Sequence, residues 1–245
     1  MIFVANWKMH GNFNDISKVK TVLNLIKNKK YKKIKIIYCP PFTLLKSFSN
    51  YFNNTKLNIG AQNCYYKSDY GPYTGNVNAK LIKSAGAKYI ILGHSENRNE
   101  GETDLLINQK IKSVLKEKLS IIFCIGETIE EKKKKITFQV LKRQISKGLK
   151  GIKNTNKIII AYEPVWSIGS GIVPSRNELE KNIKNIKKIL KQFKFKNSVK
   201  ILYGGSVNSK NANEISKIDG IGGLLVGGAS LNSKKFVDII KKTSN

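Results

Sequence analysis

Arginine is nearly missing from this 245-residue sequence: Arg98, Arg143 and Arg176 are the three among 45 basic side chains. Readers of nucleic-acid sequence lean on arginine's bidentate fork. No nucleic-acid partner is therefore expected, in spite of a net charge of +29. Cysteine is scarce as well, and Cys39, Cys64 and Cys124 are odd in number and widely spaced. They suit reduced, buried thiols better than a disulfide framework or a zinc site, so a cytoplasmic location is expected. No apolar run approaches the roughly 18 residues of a membrane span. The apolar opening Met1-Ile2-Phe3-Val4-Ala5 is too short for a signal-peptide core. No membrane partner is expected. With five prolines and no low-complexity stretch, nothing reads as a linker, and residues 1–245 are expected to form a single domain.

What the chain has in abundance is lysine, 42 of them, together with asparagine and isoleucine. The charge reads as a compositional bias carried on solvated faces, with attraction of an anionic ligand as a secondary effect. Short apolar runs alternate with longer lysine-rich stretches of helical period. The predicted strands are Ile2–Asn6, Lys35–Cys39, Leu57–Gln62, Tyr89–Leu92, Ser120–Cys124, Ile158–Glu163, Lys200–Tyr203 and Gly223–Val226. Helices are expected between them, including Ser17–Lys29, Leu105–Lys118, Ile136–Lys150, Asn177–Phe193 and Ser233–Lys242. In the fourth of these, Ile183, Ile186, Ile189 and Leu190 recur at helical spacing and would face a sheet. Eight strands, each followed by a helical segment, predict an α/β fold: a closed parallel (β/α)8 barrel.

The polar and glycine-rich residues gather just after these strands, at the end where barrel active sites lie. One stretch is central. Ile158-Ile159-Ile160-Ala161-Tyr162 reads as a strand buried on both faces, Glu163 stands at its end, and Pro164 stops the ladder. A glycine-bearing loop, Ser167–Gly171, then precedes the helix begun by Pro174-Ser175. A glutamate here is usually just solvated. Beside a mobile loop with free backbone N–H groups, it is also well placed as a general base. His94 follows Ile90-Ile91-Leu92-Gly93, with Ser95 expected to cap the next turn and favour a neutral imidazole. A lone histidine after a strand is more often structural, but Lys8 and Glu163 on the same rim tip the reading to catalysis. Lys8 sits in an apolar stretch, Phe3–Met9, that has no reason to hold a charge without a partner. Glu96 and Glu127 are candidates to pair with it or with Arg98. Two glycine turns, Tyr203-Gly204-Gly205-Ser206 and Val226-Gly227-Gly228-Ala229-Ser230, close the last two strands and suit an anion held by backbone N–H groups.

Seven blocks then carry a family resemblance: Asn6-Trp7-Lys8-Met9, Tyr73-Thr74-Gly75, Ile91–Glu96, Cys124-Ile125-Gly126-Glu127, Ala161–Trp166, Tyr203–Val207 and Leu225–Leu231. In order and spacing the chain resembles the triosephosphate isomerases from end to end. The resemblance implies a TIM barrel that interconverts dihydroxyacetone phosphate and D-glyceraldehyde 3-phosphate, in glycolysis and gluconeogenesis. It implies Glu163 as the base, neutral His94 as proton donor and shuttle, and Lys8 and Asn6 as stabilisers of the oxyanion. Backbone N–H groups of Gly169, Ser206, Gly227 and Gly228 would bind phosphate, with Glu96, Tyr203 and Trp166 in support. No metal or organic cofactor is implied. A homodimer is implied, through the Tyr65–Asn78 loop with Thr74 near its tip, docking close to the neighbour's Met9.

The departures from the family pattern are specific. Asn76 and Asn97 replace a glutamate and an arginine that usually pair across the dimer; both ends of the ion pair are gone together, so either an Asn–Asn hydrogen bond takes its place or the dimer is weakened. The segment between Arg98 and Gly101 is about a residue short. Ser167 and Ser170 replace the lid's usual alanine and threonine, and Ile172-Val173-Pro174 stands at its far hinge. These changes are expected to alter lid kinetics without changing the reaction. Two rival readings remain at this point: a basic nucleic-acid-binding protein on a barrel scaffold, and a different phosphate-binding barrel isomerase. The joint presence of Lys8, His94 and Glu163 argues against the latter.

Overall fold

The structure, a computed structural model, describes residues 1–193 and 199–243. Eight parallel strands close into a barrel in chain order. They are β1 (Ile2–Asn6), β2 (Lys35–Cys39), β3 (Leu57–Ala61), β4 (Tyr89–Leu92), β5 (Ser120–Ile125), β6 (Ile158–Tyr162), β7 (Lys200–Tyr203) and β8 (Ile221–Val226). Around them lie α1 (Lys20–Lys27), α2 (Phe42–Tyr51), α3 (Ala79–Ser84), α4 (Ser95–Asn99) and α5 (Asp104–Lys116). The ring of helices continues with α6 (Ile129–Lys133), α7 (Thr137–Gly148), α8 (Arg176–Gln192), α9 (Ala212–Ser216) and α10 (Ser233–Lys242).

β-branched residues dominate the strands because each is covered on both faces. Alternation along a strand sorts them into two apolar layers. Val4, Ile37, Ile91, Ile122, Ile159, Ala161 and Leu202 fill the barrel interior, with Cys39 and Cys124 among them. Phe3, Ile36, Tyr38, Ile90, Phe123, Ile160 and Tyr162 point outward and pack under the helices. Full burial of one such aliphatic side chain contributes about 1.5–3 kcal/mol. On α8 the predicted stripe holds: Ile183, Ile186, Ile189 and Leu190 are buried with Leu179, and the Ser175 hydroxyl caps the helix by accepting from Glu178 N–H at 3.3 Å.

Four strand ends differ from those expected. β3 and β6 each stop one residue earlier than predicted, β5 runs on to Ile125, and β8 begins at Ile221. β8 starts early because its ladder to β7 is irregular at Ile201/Leu202, which admits Gly222 as an extra residue. The first helix is also broken. Ser17–Val19 is a tight 3-10 turn, and only Lys20–Lys27 is α-helical.

Candidate active site

The same alternation that packs the barrel delivers its polar residues. Ile159 and Ala161 face the interior, so Glu163, two residues on, points to the same side; Val4 does the same for Asn6. Asn6, Lys8, His94 and Glu163 come together in one cavity of about 300 Å³ at the C-terminal mouth. Its other walls are Gly169 and Gly171 of the loop, Gly204–Asn208, and Gly227–Ala229. Every residue expected to touch a ligand is therefore in one place.

Glu163 is the most constrained of them. Its carboxylate is buried, Oε1 lies 3.7 Å from His94 Nε2, and Oε2 has no hydrogen-bond partner among the described residues. Burial raises its pKa; His94, a hydrogen bond from the Cys124 thiol, and Lys8 pull in the opposite direction without reversing the shift. The carboxylate fits because Gly204 has no side chain: a Cβ there would sit 2.7 Å from Glu163 Cγ and 2.8 Å from Oε1. Gly204, read from sequence as part of an anion turn, is thus also a notch for the base. Because a base must be ionised to act, the raised pKa moves the acid limb of kcat/KM above 4.5, the ordinary glutamate value. A pH profile of turnover whose limb falls at or below that value would contradict this environment.

His94 differs in detail from expectation. The residue that caps α4 is His94 itself, not Ser95: Glu96 N–H donates to His94 Nδ1 at 3.3 Å. An Nδ1 that accepts carries no proton, so the ring is neutral with its hydrogen on Nε2, facing the cavity. A carboxylate oxygen of Glu96 lies 3.5 Å from the same nitrogen, but the other oxygen is held by Lys8 Nζ at 2.6 Å. The backbone N–H is the group aimed at Nδ1. Lys8 adopts φ 53°, and its N–H donates to Asn6 Oδ1 at 3.0 Å, which ties the two candidate oxyanion groups together.

The remaining acidic candidates separate. Glu96 pairs with Lys8, while Arg98 turns to Asp104 (2.7 Å) and to the Gly93 carbonyl (2.8 Å). Glu127 reaches neither. It is buried beneath the loop, where it accepts from Trp166 Nε1 at 2.9 Å and from the Tyr162 hydroxyl at 3.1 Å. Burial raises its pKa too.

Ser167, expected from the sequence only to alter lid kinetics, does more. Fully buried, its hydroxyl donates to the Ile172 carbonyl (2.6 Å), meets the Tyr203 hydroxyl (3.0 Å) and accepts from Ser206 N–H (3.2 Å). Its carbonyl accepts from Ser206 Oγ at 2.7 Å. The loop is therefore fastened to the glycine turn after β7, and Gly171 N–H adds a bond to Ser206 Oγ at 3.1 Å. Ser206 N–H has to leave Ser167 in order to reach a ligand. Gly227 and Gly228 are open, with nothing but Lys8 Cε within 4 Å of either absent Cβ. Asn182 was missed in the sequence; from α8 its amide donates to the Tyr162 hydroxyl at 2.8 Å and steadies the wall beneath the loop.

Comparison with known proteins agrees with this geometry. The family model described as "Triosephosphate isomerase" matches residues 1–243. The chain is similar to the triosephosphate isomerase of Thermodesulfovibrio yellowstonii, at 40% identity over 242 residues and 97% of each chain. It is 39% identical to that of Alkaliphilus oremlandii over 247 residues and 98% of each chain. A crystal structure of triosephosphate isomerase from Bartonella henselae superposes with a TM-score of 0.90 at 32% identity, covering 100% of this chain and 99% of the other. With its cavity at the barrel mouth and a match that runs nearly end to end, this chain belongs to the triosephosphate isomerase family.

Proposed function

We propose that this chain interconverts dihydroxyacetone phosphate and D-glyceraldehyde 3-phosphate, in glycolysis and, run in reverse, in gluconeogenesis, with Glu163 as the base. The observation that carries the assignment of roles is the buried, partly unpartnered Glu163 carboxylate facing His94 Nε2 across the cavity. A desolvated carboxylate takes a proton from the substrate's hydroxymethyl carbon and returns it to the neighbouring carbon. The Nε2–H of His94 donates to the carbonyl oxygen as the enediolate forms, and Lys8 and Asn6 stabilise the growing negative charge. Gly227 and Gly228, with Gly169 and Ser206, offer N–H groups to the phosphate. The loop over the cavity keeps water from the enediolate, which would otherwise lose its phosphate. These are proton transfers between groups already in the cavity, and they call for no metal or organic cofactor.

A homodimer in the cytoplasm is part of the same reading. The Tyr65–Asn78 loop is closed at its base by Tyr65 N–H to the Val77 carbonyl, 2.8 Å, and stiffened by Tyr65 and Tyr73 rings 5.1 Å apart. It projects Thr74 and Gly75 into open space, while Met9 is 93% exposed. A partner loop seated near Met9 would cover that side chain. Asn76 turns its amide to the Thr74 carbonyl of its own loop at 3.5 Å, which leaves it a weak cross-subunit partner. Turnover of glyceraldehyde 3-phosphate across a dilution series tests both parts. Rapid turnover whose specific activity falls on dilution is expected. A constant specific activity would refute the weakened dimer alone. No turnover at any concentration would overturn the assigned chemistry.

A further inference from the structure

Apart from Lys8, the 42 lysines behind the net charge of +29 have no direct part in the reaction above. In a parallel barrel, the turn from a helix into the next strand lies at the end opposite the catalytic cavity. Lysine recurs around most of that mouth, at the starts of six of the eight strands. Lys35 and Lys200 open β2 and β7; Lys56, Lys88 and Lys157 directly precede β3, β4 and β6; Lys118 stands two residues before β5. All six are exposed. The backbones of Lys35, Lys88, Lys157 and Lys200 are bonded into the ladder: Lys35 N–H donates to Met1 O (3.0 Å) and Lys88 N–H to Ile59 O (2.8 Å). The carbonyls of Lys88 and Lys157 accept from Ser120 N–H (2.9 Å) and Ile121 N–H (2.7 Å). The ring is fixed to the barrel and not carried on free loops.

Little opposes this charge. Two acidic residues fall in the described helix-to-strand turns, Glu117 and Asp219, and each already has a lysine, Lys83 at 3.7 Å and Lys187 at 2.8 Å. Glu96, Glu127 and Glu163 all stand at the other end. The Met1 amine joins the ring, and burial followed by the charge of Lys200 lowers its pKa. None of the three arginines is in these turns, and Tyr89, beneath Lys35 at 6.0 Å, is buried and offers no face to a base.

We propose that this strand-start face docks on an anionic lipid surface. Eight strands about 4.8 Å apart make a mouth roughly 15 Å across at the backbone, and the ammonium groups reach wider. Point charges set around a disc meet a plane of headgroups together. The convex side of a nucleic-acid duplex would touch part of the ring at a time. Lysine, without arginine's fork, suits diffuse anionic charge of this kind. Docking of this sort needs no spanning helix, and among the described residues no helix is long and apolar enough to be one. The cavity faces away from the surface, so the docked protein keeps its site open.

The test is co-sedimentation of the full chain with vesicles of phosphatidylcholine, with or without about 30% phosphatidylserine, at about 0.15 M salt. Pelleting with the anionic vesicles alone, reversed by added salt, is expected. The combined Lys35→Gln, Lys88→Gln, Lys157→Gln, Lys200→Gln variant should partition on the order of tenfold less. A control that loses the same charge elsewhere, Lys18→Gln, Lys133→Gln, Lys134→Gln, Lys210→Gln, should change less than about twofold. Circular dichroism confirms that both are folded. No pelleting of the parent, an equal loss in the two variants, or stronger retention on duplex DNA than on vesicles at the same salt would each overturn the proposal. The readout is binding, so its failure leaves the isomerase reading untouched.

Discussion

Replacing Glu163 by glutamine is expected to lower kcat by about 10³–10⁴-fold, because the amide keeps the shape of the side chain but cannot accept the proton. Affinity for inorganic phosphate should be little changed, since the N–H groups of Gly227 and Gly228 are untouched. The same variant should melt at a higher temperature at neutral pH. Burial raises the folded-state pKa of Glu163, so its contribution to stability is present in full below the unfolded value and is lost as pH rises through the folded one. Above that window the fold carries a desolvated charge whose Oε2 has no partner among the described residues. Glutamine removes the charge, and each kcal/mol regained is worth about 2–4 °C in Tm for a chain of this size. Turnover kinetics and calorimetry on one preparation check both halves. Turnover close to the parent's would remove Glu163 from its role, and a lower Tm would contradict the desolvation argument.

Gly126→Ala should be the most damaging small substitution near the site. A Cβ at Gly126 would lie 1.8 Å from the carbonyl oxygen of Glu163 and 2.5 Å from its carbon. Those atoms are backbone, so no rotamer relieves the overlap. Gly126 is itself clamped, its N–H donating to Gln144 Oε1 at 2.9 Å and its carbonyl accepting from Gln144 Nε2 at 3.0 Å. Either that clamp opens or the end of β6 shifts and takes the base with it. A loss of about 3 kcal/mol or more is expected from such overpacking. A misplacement of roughly 1 Å at Glu163 would cost on the order of 10²-fold in turnover. Gly228→Ala is the comparison: nothing lies within 4 Å of its Cβ, so Tm should hold while phosphate affinity falls. Equal melting of Gly126→Ala and the parent would show that the two strand ends are not in register as described.

The barrel was legible because its strands are short β-branched runs separated by helical period, and buried parallel strands have no other way to look. The site was legible where motifs follow strands, as with Lys8, His94 and Glu163. What escaped were residues whose role depends on a neighbour distant in sequence. Asn182 lies on the buried stripe of α8 beside Ile183, and a polar side chain on such a stripe was the available signal. Ser167 stood out as a change in the lid, but a serine in a glycine-bearing loop does not show that its hydroxyl reaches Tyr203 and Ser206. The capping role went to Ser95 on propensity, whereas His94 has the extended backbone, φ −57° and ψ 144°, that the cap position requires. Gly222 was left outside the predicted strand because glycine ordinarily weakens one; Gly223, its predicted first residue, leaves room for the Ile2 carbonyl, which a Cβ would approach to 1.9 Å.

The hydroxyl of Ser167 has a single hydrogen. At 2.6 Å from the Ile172 carbonyl, which can only accept, that hydrogen is committed, so the Tyr203 hydroxyl must be the donor in their 3.0 Å contact. The result is a one-way relay of hydrogens from β7 to the far hinge of the loop. Burial pushes the Tyr203 phenol up to about 12, so it stays protonated and the relay keeps its direction across the physiological range. Loop and strand end therefore answer to each other through polarity as well as contact, and a phenylalanine in place of Tyr203 would leave the shape of the link while removing its first donor.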